Sequence, residues 1–136
     1  MGTYQRFEEL PIWMEARKLA FEVYQLTFHL PFANDFARVN QIRRACGSVA
    51  DNSAEGYERD GRLEFINFLS IAKGSAGEVR FQLHRAADLA FITKTVLDEK
   101  VAAYKNLAVQ IANFIKYLNT NTNRGIKFKD RITSTQ

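Results

Sequence analysis

Apolar residues along this chain fall into four runs, each with alternating spacings of three and four. The first holds Ile12, Ala16, Leu19, Val23, Leu26 and Leu30; the second holds Val39, Ile42, Cys46, Val49, Ser53 and Gly56. Phe65, Leu69, Ala72, Ala76, Val79, Leu83, Ala86 and Ala90 form the third, and Leu97, Val101, Tyr104, Ala108, Ile111, Ile115 and Leu118 the fourth. A 3.5-residue period is the seam of a helix packed lengthwise on its neighbours. The pattern therefore predicts helices over 10–30, 35–56, 62–91 and 96–119. Residues 1–9 form a lead-in, and residues 120–136 a flexible basic tail that either stays disordered or pairs as an extended arm with a neighbouring subunit. Beside the first seam, Trp13, Ala20, Phe21, Tyr24 and Phe28 form a second apolar row, which is expected to widen the buried face.

The punctuation agrees with these boundaries. Pro11 suits a first helical turn and Pro31 stops the first helix. Asn34 or Asp35 is placed to cap the second helix, and Gly56 to end it. Gly61 followed by Glu64 reads as a partial capping box for the third helix, and Thr95 followed by Asp98 as the opening of the fourth. Gly74 and Gly77 lie inside the third helix, where each costs about 1 kcal/mol relative to Ala. Close approach of another backbone is the expected compensation. Short links between long helices require antiparallel neighbours. The expected fold is all-α, an up-down-up-down antiparallel left-handed four-helix bundle.

A second stripe runs one residue before the seam of the second helix: Gln41, Ala45, Ser48, Asn52, Glu55 and Arg59. The third helix has its own, Ser75, Glu78, Gln82 and Arg85. A helix needs no polar stripe beside its seam merely to fold. Antiparallel packing about the 57–61 link pairs positions whose numbers sum to about 118, bringing Glu78 toward Gln41 and Arg38 or Arg44, Ser75 toward Arg43 and Arg44, and Asn52 toward Ile66. Each such group, unpaired in a dry core, costs about 1–3 kcal/mol. Gln41, Ser48, Asn52, Glu55, Ser75, Glu78 and Gln82 are thus an inter-helix hydrogen-bonding strip or an inter-subunit one, and both options stand.

Charge adds a weaker signal. The 136 residues are 46% hydrophobic and 25% charged, with a formal net charge of +4. Residues 1–61 carry −2, residues 62–119 carry +3 and the last seventeen carry +3. Arg43, Arg44, Arg59, Arg62 and Lys73 gather around the second and third helices, with Lys127, Lys129 and Arg131 in the tail. Arginine forks suit phosphates as well as the carboxylates of Asp51, Glu55, Glu58 and Glu64 nearby. These eight cations are the candidate nucleic-acid contacts.

Other chemistry is poorly provided for. One cysteine excludes a disulfide framework, and Cys46 on the seam reads as a small core residue. His29 and His84 lack the Glu-x-x-His spacing of a bundle metal site. No catalytic triad, phosphate-cradling loop or dinucleotide fingerprint occurs. The expectation is a non-enzyme with no cofactor and no metal. The first nine residues hold no signal-peptide core, and no run approaches the ~18 apolar residues of a membrane span. A reducing cytoplasm and no membrane association are expected.

Gln41-Ile42-Arg43-Arg44-Ala45, Ser48-Val49, Asn52, Ala54-Glu55-Gly56, Arg59, Glu64-Phe65, Phe68-Leu69, Ile71-Ala72, Gly74-Ser75 and Gln82-Leu83 together resemble the 23S rRNA intervening-sequence proteins. Leu10, Ile12-Trp13, Ala16 and Tyr24-Gln25-Leu26-Thr27 fit the same pattern, while Cys46-Gly47, Asp51 and Ser53 depart from it. The chain is also similar to the accessory variability determinant proteins of diversity-generating retroelements. Those form barrel-shaped homopentamers that bind nucleic acid and a reverse transcriptase. The resemblance implies a homo-oligomer, a pentamer, acting as an adaptor for structured RNA or DNA, with a reverse transcriptase as a protein partner. The alternative is a protein-interaction scaffold with no nucleic-acid role, which the small net charge favours.

Overall fold

The computed structural model describes residues 4–120. Four helices cover Pro11–Thr27 (α1), Phe36–Glu58 (α2), Arg62–Asp88 (α3) and Lys94–Thr120 (α4). Single 3-10 turns at Phe7–Glu9 and Phe32–Asn34 precede α1 and α2, and no strand occurs among the described residues. The chain is an all-α four-helix bundle. α2 packs most closely on α3, and α3 on α4, whereas of the neighbouring pairs α1 meets α4 least closely.

Cross-helix partners give the directions. Gln82 bonds to Gln41, and Ser75 to Ser48. Arg62 bonds to the Leu118 carbonyl while Phe65 packs edge-on against Phe114. As numbers rise on one helix they fall on its neighbour, so α2 and α3, and α3 and α4, are antiparallel. The α2–α3 pairs sum to 123 rather than the 118 expected from the hairpin, which moves Gln41 from Glu78 to Gln82 and Ser75 from the arginines to Ser48.

The seams form the core. Every seam residue of α2 is buried, as are Phe65, Leu69, Ala72, Ala76, Val79, Leu83 and Ala86 of α3. Tyr57 and Tyr104 are the largest fully buried side chains. The lead-in joins them: the Tyr57 hydroxyl donates to the Tyr4 carbonyl at 2.7 Å, and Leu10 is fully buried. Among the described residues, no helix is long and apolar enough to cross a membrane.

Helix ends differ from the periodic reading because capping overrides periodicity. α1 stops at Thr27 rather than Leu30, and Leu30 is exposed. α3 stops at Asp88, although the apolar spacing continues to Ala90. There the chain turns through a left-handed Ala90 (φ 62°). The Phe91 N–H donates to the Ala86 carbonyl at 2.8 Å and the Ala90 N–H to Ala87 at 2.9 Å, the paired closure of a Schellman end. Phe91 then stacks on Phe32 with centroids 5.0 Å apart. α4 is capped by Thr93, not Thr95: its Oγ1 accepts the Val96 N–H at 3.2 Å. Asp35, of the two candidates, caps α2 by accepting the Arg38 N–H. No hydrogen bond joins Glu64 to Gly61, so the partial capping box does not form.

The glycines also change roles. Gly56 is no cap, since α2 runs on to Glu58. A Cβ there would stand 2.6 Å from Phe68 Cβ and 3.0 Å from the Phe65 ring. The close approach expected at Gly74 and Gly77 is instead at Gly56; those two face open space, with nothing within 4 Å. The aromatic row of α1 is corrected likewise. Phe21, Tyr24 and Phe28 are exposed: they turn away from the buried seam, on the side of α1 where Arg43 of α2 lies over Tyr24 and Phe28.

These surroundings give two glycines opposite substitution effects. Gly74→Ala should stabilise the protein by up to about 1 kcal/mol through helix propensity. Gly56→Ala gains the same propensity but must push Phe68 and its helix away, for a net loss of about 1–3 kcal/mol. Urea unfolding midpoints of the two variants should move in opposite directions.

Candidate functional site

The polar strip of α2 is built from the α2–α3 register. The Arg38 guanidinium donates to Gln41 Oε1 at 3.2 Å, and Gln82 Nε2 donates to the same oxygen at 3.0 Å. A guanidinium can only donate, so it fixes which end of Gln41 is oxygen, and Gln41 in turn orients Gln82. Two turns along, Ser48 Oγ and Ser75 Oγ lie 2.8 Å apart. Asn52 Nδ2 donates back to Ser48, to the carbonyl at 2.9 Å and to Oγ at 2.8 Å. These are bonds between or within helices of one chain. Glu55 is exposed and pairs with Arg59 on its own helix at 3.1 Å. Glu78 reaches the strip only as a wall of the groove beside it.

The candidate cations separate into two groups. Arg43 is taken up by α1: Nε and Nη2 donate to Thr27 Oγ1 at 3.0 and 2.8 Å. Its guanidinium carbon lies 4.6 Å from the Tyr24 ring centre and 4.8 Å from that of Phe28. Thr27 is itself fully buried and donates to the Tyr24 carbonyl at 2.7 Å. Arg59 stacks 5.1 Å from Phe68, and Arg62 Nη1 donates to the Leu118 carbonyl at 3.0 Å, near the C-terminal end of α4 where a cation suits the helix dipole. Arg44 and Lys73 are exposed and make no hydrogen bond or ion pair among the described residues. Lys127, Lys129 and Arg131 lie outside the described residues.

Two shallow grooves flank α2. Gln41, Arg44, Ala45, Ser48, Glu78, Gln82 and Arg85 line one of about 580 Å³ against α3. The other, about 600 Å³, is lined by Tyr24, Asn40, Arg43, Arg44, Gly47, Ser48, Asn52 and the carboxylates of Asp51 and Glu55. Arg44 belongs to both. A third, more apolar cleft of about 250 Å³ lies between the start of α1 and α4, lined by Leu10, Ile12, Gln110, Asn113 and Phe114. Among the described residues, no three His, Cys, Asp or Glu side chains are grouped to hold a metal.

Two buried groups complete the electrostatics. The Cys46 thiol donates to the Arg43 carbonyl at 3.4 Å, and burial pushes its pKa up to about 11. Tyr104 is fully buried on α4, its hydroxyl has no hydrogen-bond partner among the described residues, and burial drives its phenol far above the ordinary value. Nearby, Lys100 of α4 pairs with Glu22 of α1 across the loosest interface.

A family model described as 23S rRNA-intervening sequence protein matches residues 8–124, which takes in all four helices. The chain belongs to that family. Among solved structures, a protein with unknown function from the S23 ribosomal protein family of Bacteroides thetaiotaomicron is similar at 23% identity. The match covers 77% of this chain and 95% of that one, with a TM-score of 0.71. At that identity the likeness shows the fold alone. No curated protein matches the chain. The family description and the neighbour's name specify no catalytic activity.

The sequence missed what holds Arg43. The signal was present as Tyr24 and Phe28, one turn apart on α1, but only the fold brings Arg43 between them. Arg38, which orients Gln41, was likewise not in the strip as read from spacing.

The thiol gives a pH dependence of defined sign. Both folded and unfolded states keep the Cys46 proton below pH 9, the ordinary thiol value. Between pH 9 and about 11 only the unfolded state releases it, so stability should fall by about 2–3 kcal/mol across that window. Cys46→Ala should remove this part, leaving a later decline that starts near pH 10, where tyrosines titrate in the unfolded chain. Urea unfolding at pH 8, 9.5 and 11 checks it.

Proposed function

We propose that this protein is a cytoplasmic, non-enzymatic adaptor that assembles as a homo-oligomer and binds structured RNA or DNA through phosphate contacts. The observation that carries the reading is the pair Arg44 and Arg85. Both are exposed, both wall the groove between α2 and α3, and neither has a hydrogen bond or ion pair among the described residues. Other candidate arginines are spent on Thr27, Glu55 and Leu118, whereas these two keep their full donor sets for a ligand. The carboxamides of Gln41 and Gln82 lie in the same groove, so a phosphate held there has neutral polar neighbours as well as charge. Glu78 opposes it in part. The ring size follows from the resemblance to the retroelement accessory proteins, which makes a pentamer the expected assembly. The same resemblance makes a reverse transcriptase the expected protein partner.

A second reading has its own observation. Leu30 is 70% and Phe36 is 74% exposed, and with Leu89 they gather apolar surface at the end of the bundle where α1 meets α2 and α3 meets α4. Apolar side chains at the tips of helices suit a protein partner better than a phosphate backbone. On that reading the molecule is a scaffold, and a defined protein would stay bound through nuclease treatment.

Fluorescence anisotropy with a labelled structured RNA decides between them. Affinity should fall steeply from about 50 to 200 mM salt, with a log–log slope near −0.9 per phosphate contact for duplex regions. Arg44→Glu with Arg85→Glu should weaken binding at least tenfold at low salt. Light scattering should give about 78 kDa, five times the 15.6 kDa chain. Undetectable binding at the lowest salt, or a double variant that binds like the parent, sinks the nucleic-acid reading.

A further inference from the structure

Deepening the nucleic-acid reading, on which this step rests, we infer that the outer face of α1 and α2 takes single-stranded rather than duplex nucleic acid. Its bases would stack on Phe21, Tyr24 and Phe28, with phosphate met by Arg44. The argument begins with an anomaly of burial. Phe21 and Tyr24 of α1 and Phe28 at its C-cap are spaced three and four apart, so they share one face, yet they are 65%, 39% and 62% exposed. Burial in the bundle does not account for three aromatic rings in a row on the solvent side.

Two of the rings are also held still. Arg43 lies between Tyr24 and Phe28, within stacking distance of both, and is pinned by two hydrogen bonds to the buried Thr27. Its charge is spent on holding the rings, which leaves Arg44, one residue along, as the cation for a phosphate. Tyr24 and Arg44 wall the same groove, with the carboxamides of Asn40 and Asn52 beside them; the carboxylates of Asp51 and Glu55 also line it, so a phosphate is met at the Arg44 end and not along its whole length. Aromatic faces at one-turn intervals, a neighbouring cation and neutral amides are what a single strand requires: stacking that any base can use, charge along the backbone, and groups that meet base edges. A duplex keeps its bases stacked inside and offers the rings nothing. Covering the face with an apolar protein surface would strand the Arg44 guanidinium and the Asn40 carboxamide without partners, although Asn52 already donates to Ser48. Those groups favour a strand over a second copy of this chain.

The test uses the full chain and three labelled probes of equal length, a 12-nucleotide oligoadenylate, a 12-nucleotide oligouridylate and a blunt RNA duplex. The parent should bind the single strand at least tenfold more tightly than the duplex at the same salt, and oligoadenylate more tightly than oligouridylate. Tyr24→Leu with Phe28→Leu should weaken single-strand binding by about tenfold or more while leaving the salt slope unchanged, since stacking releases no counterions. Arg44→Gln should instead reduce the slope by about 0.7, the share of one single-strand phosphate. Tyr24→Trp should restore binding, which separates stacking from a folding defect. Duplex preference, or a leucine double variant that binds like the parent, overturns the inference and leaves phosphate binding in the α2–α3 groove standing. A leucine double variant that changes the mass in light scattering but not the affinity overturns it too, and assigns the face to self-association. No binding to any probe removes this inference together with the reading beneath it.

Discussion

The approach of α2 to α3 at Gly56 is the constraint on which the rest of the structure depends. With no Cβ at Gly56, Phe68 and Phe65 sit directly against the α2 backbone. The hairpin between them is short: α2 ends at Glu58, a left-handed Asp60 reverses the chain, and α3 starts at Arg62. Helices brought that close at one end must carry small or polar residues further along, where side chains face each other across little space. Ser48 of α2 meets Ser75 of α3, with Ala45 and Ser53 buried on α2 and Ala72 and Ala76 buried on α3. The Ser48–Ser75 bond is possible because neither residue is large enough to hold the helices apart. The polar strip is therefore first a consequence of tight packing, in which buried polar groups satisfy one another across the interface.

What the sequence revealed follows from what periodicity encodes. A heptad seam reports the phase of a helix relative to its core, so the central residues of all four seams are buried as the spacing implied. It does not report where a helix stops, since Ala90 continues the pattern yet lies beyond a Schellman closure. Nor does it say which neighbour covers the flank of a seam. Phe21, Tyr24 and Phe28 extend the apolar row of α1 in sequence, but they point away from its buried seam, and Arg43 of α2 covers Tyr24 and Phe28 only in part. The α2–α3 register illustrates the same limit. A shift of five in the pairing sum separates the expected partners from the observed ones; because α2 runs on to Glu58, the turn centres on residue 60 rather than 59, which accounts for two of the five. Residue types near the site were readable; their partners were not.

Arg43 shows how a single fold contact reassigns a residue. Adjacent arginines read alike in sequence, as two cations on one outward arc of a helix. In the bundle Arg43 faces α1, where Thr27 accepts two of its donors and two aromatic rings flank its plane. A charge in that position is stabilised by the ring quadrupoles as well as by the hydroxyl, so it costs less there than it would in an aliphatic core. Arg44 has no such surroundings, and the division between a structural and an available arginine falls between consecutive positions.

The contrast bears on how α2 divides its two jobs. Its seam meets the core, and the Gln41 and Ser48 side of its strip is tied to α3, leaving a ridge with Arg44 at its centre and a groove on either side. Mild net charge then weighs little against phosphate binding, because an interface depends on local donors that lack acids, not on the sum over 136 residues. Near the hairpin, Glu55 neutralises Arg59, so the dense cluster seen in sequence is the weaker candidate. The sparser pair, Arg44 in α2 and Arg85 in the last turn of α3, is the stronger one, since neither makes an ion pair among the described residues although Glu78 shares their groove. Availability, not abundance, is what distinguishes them.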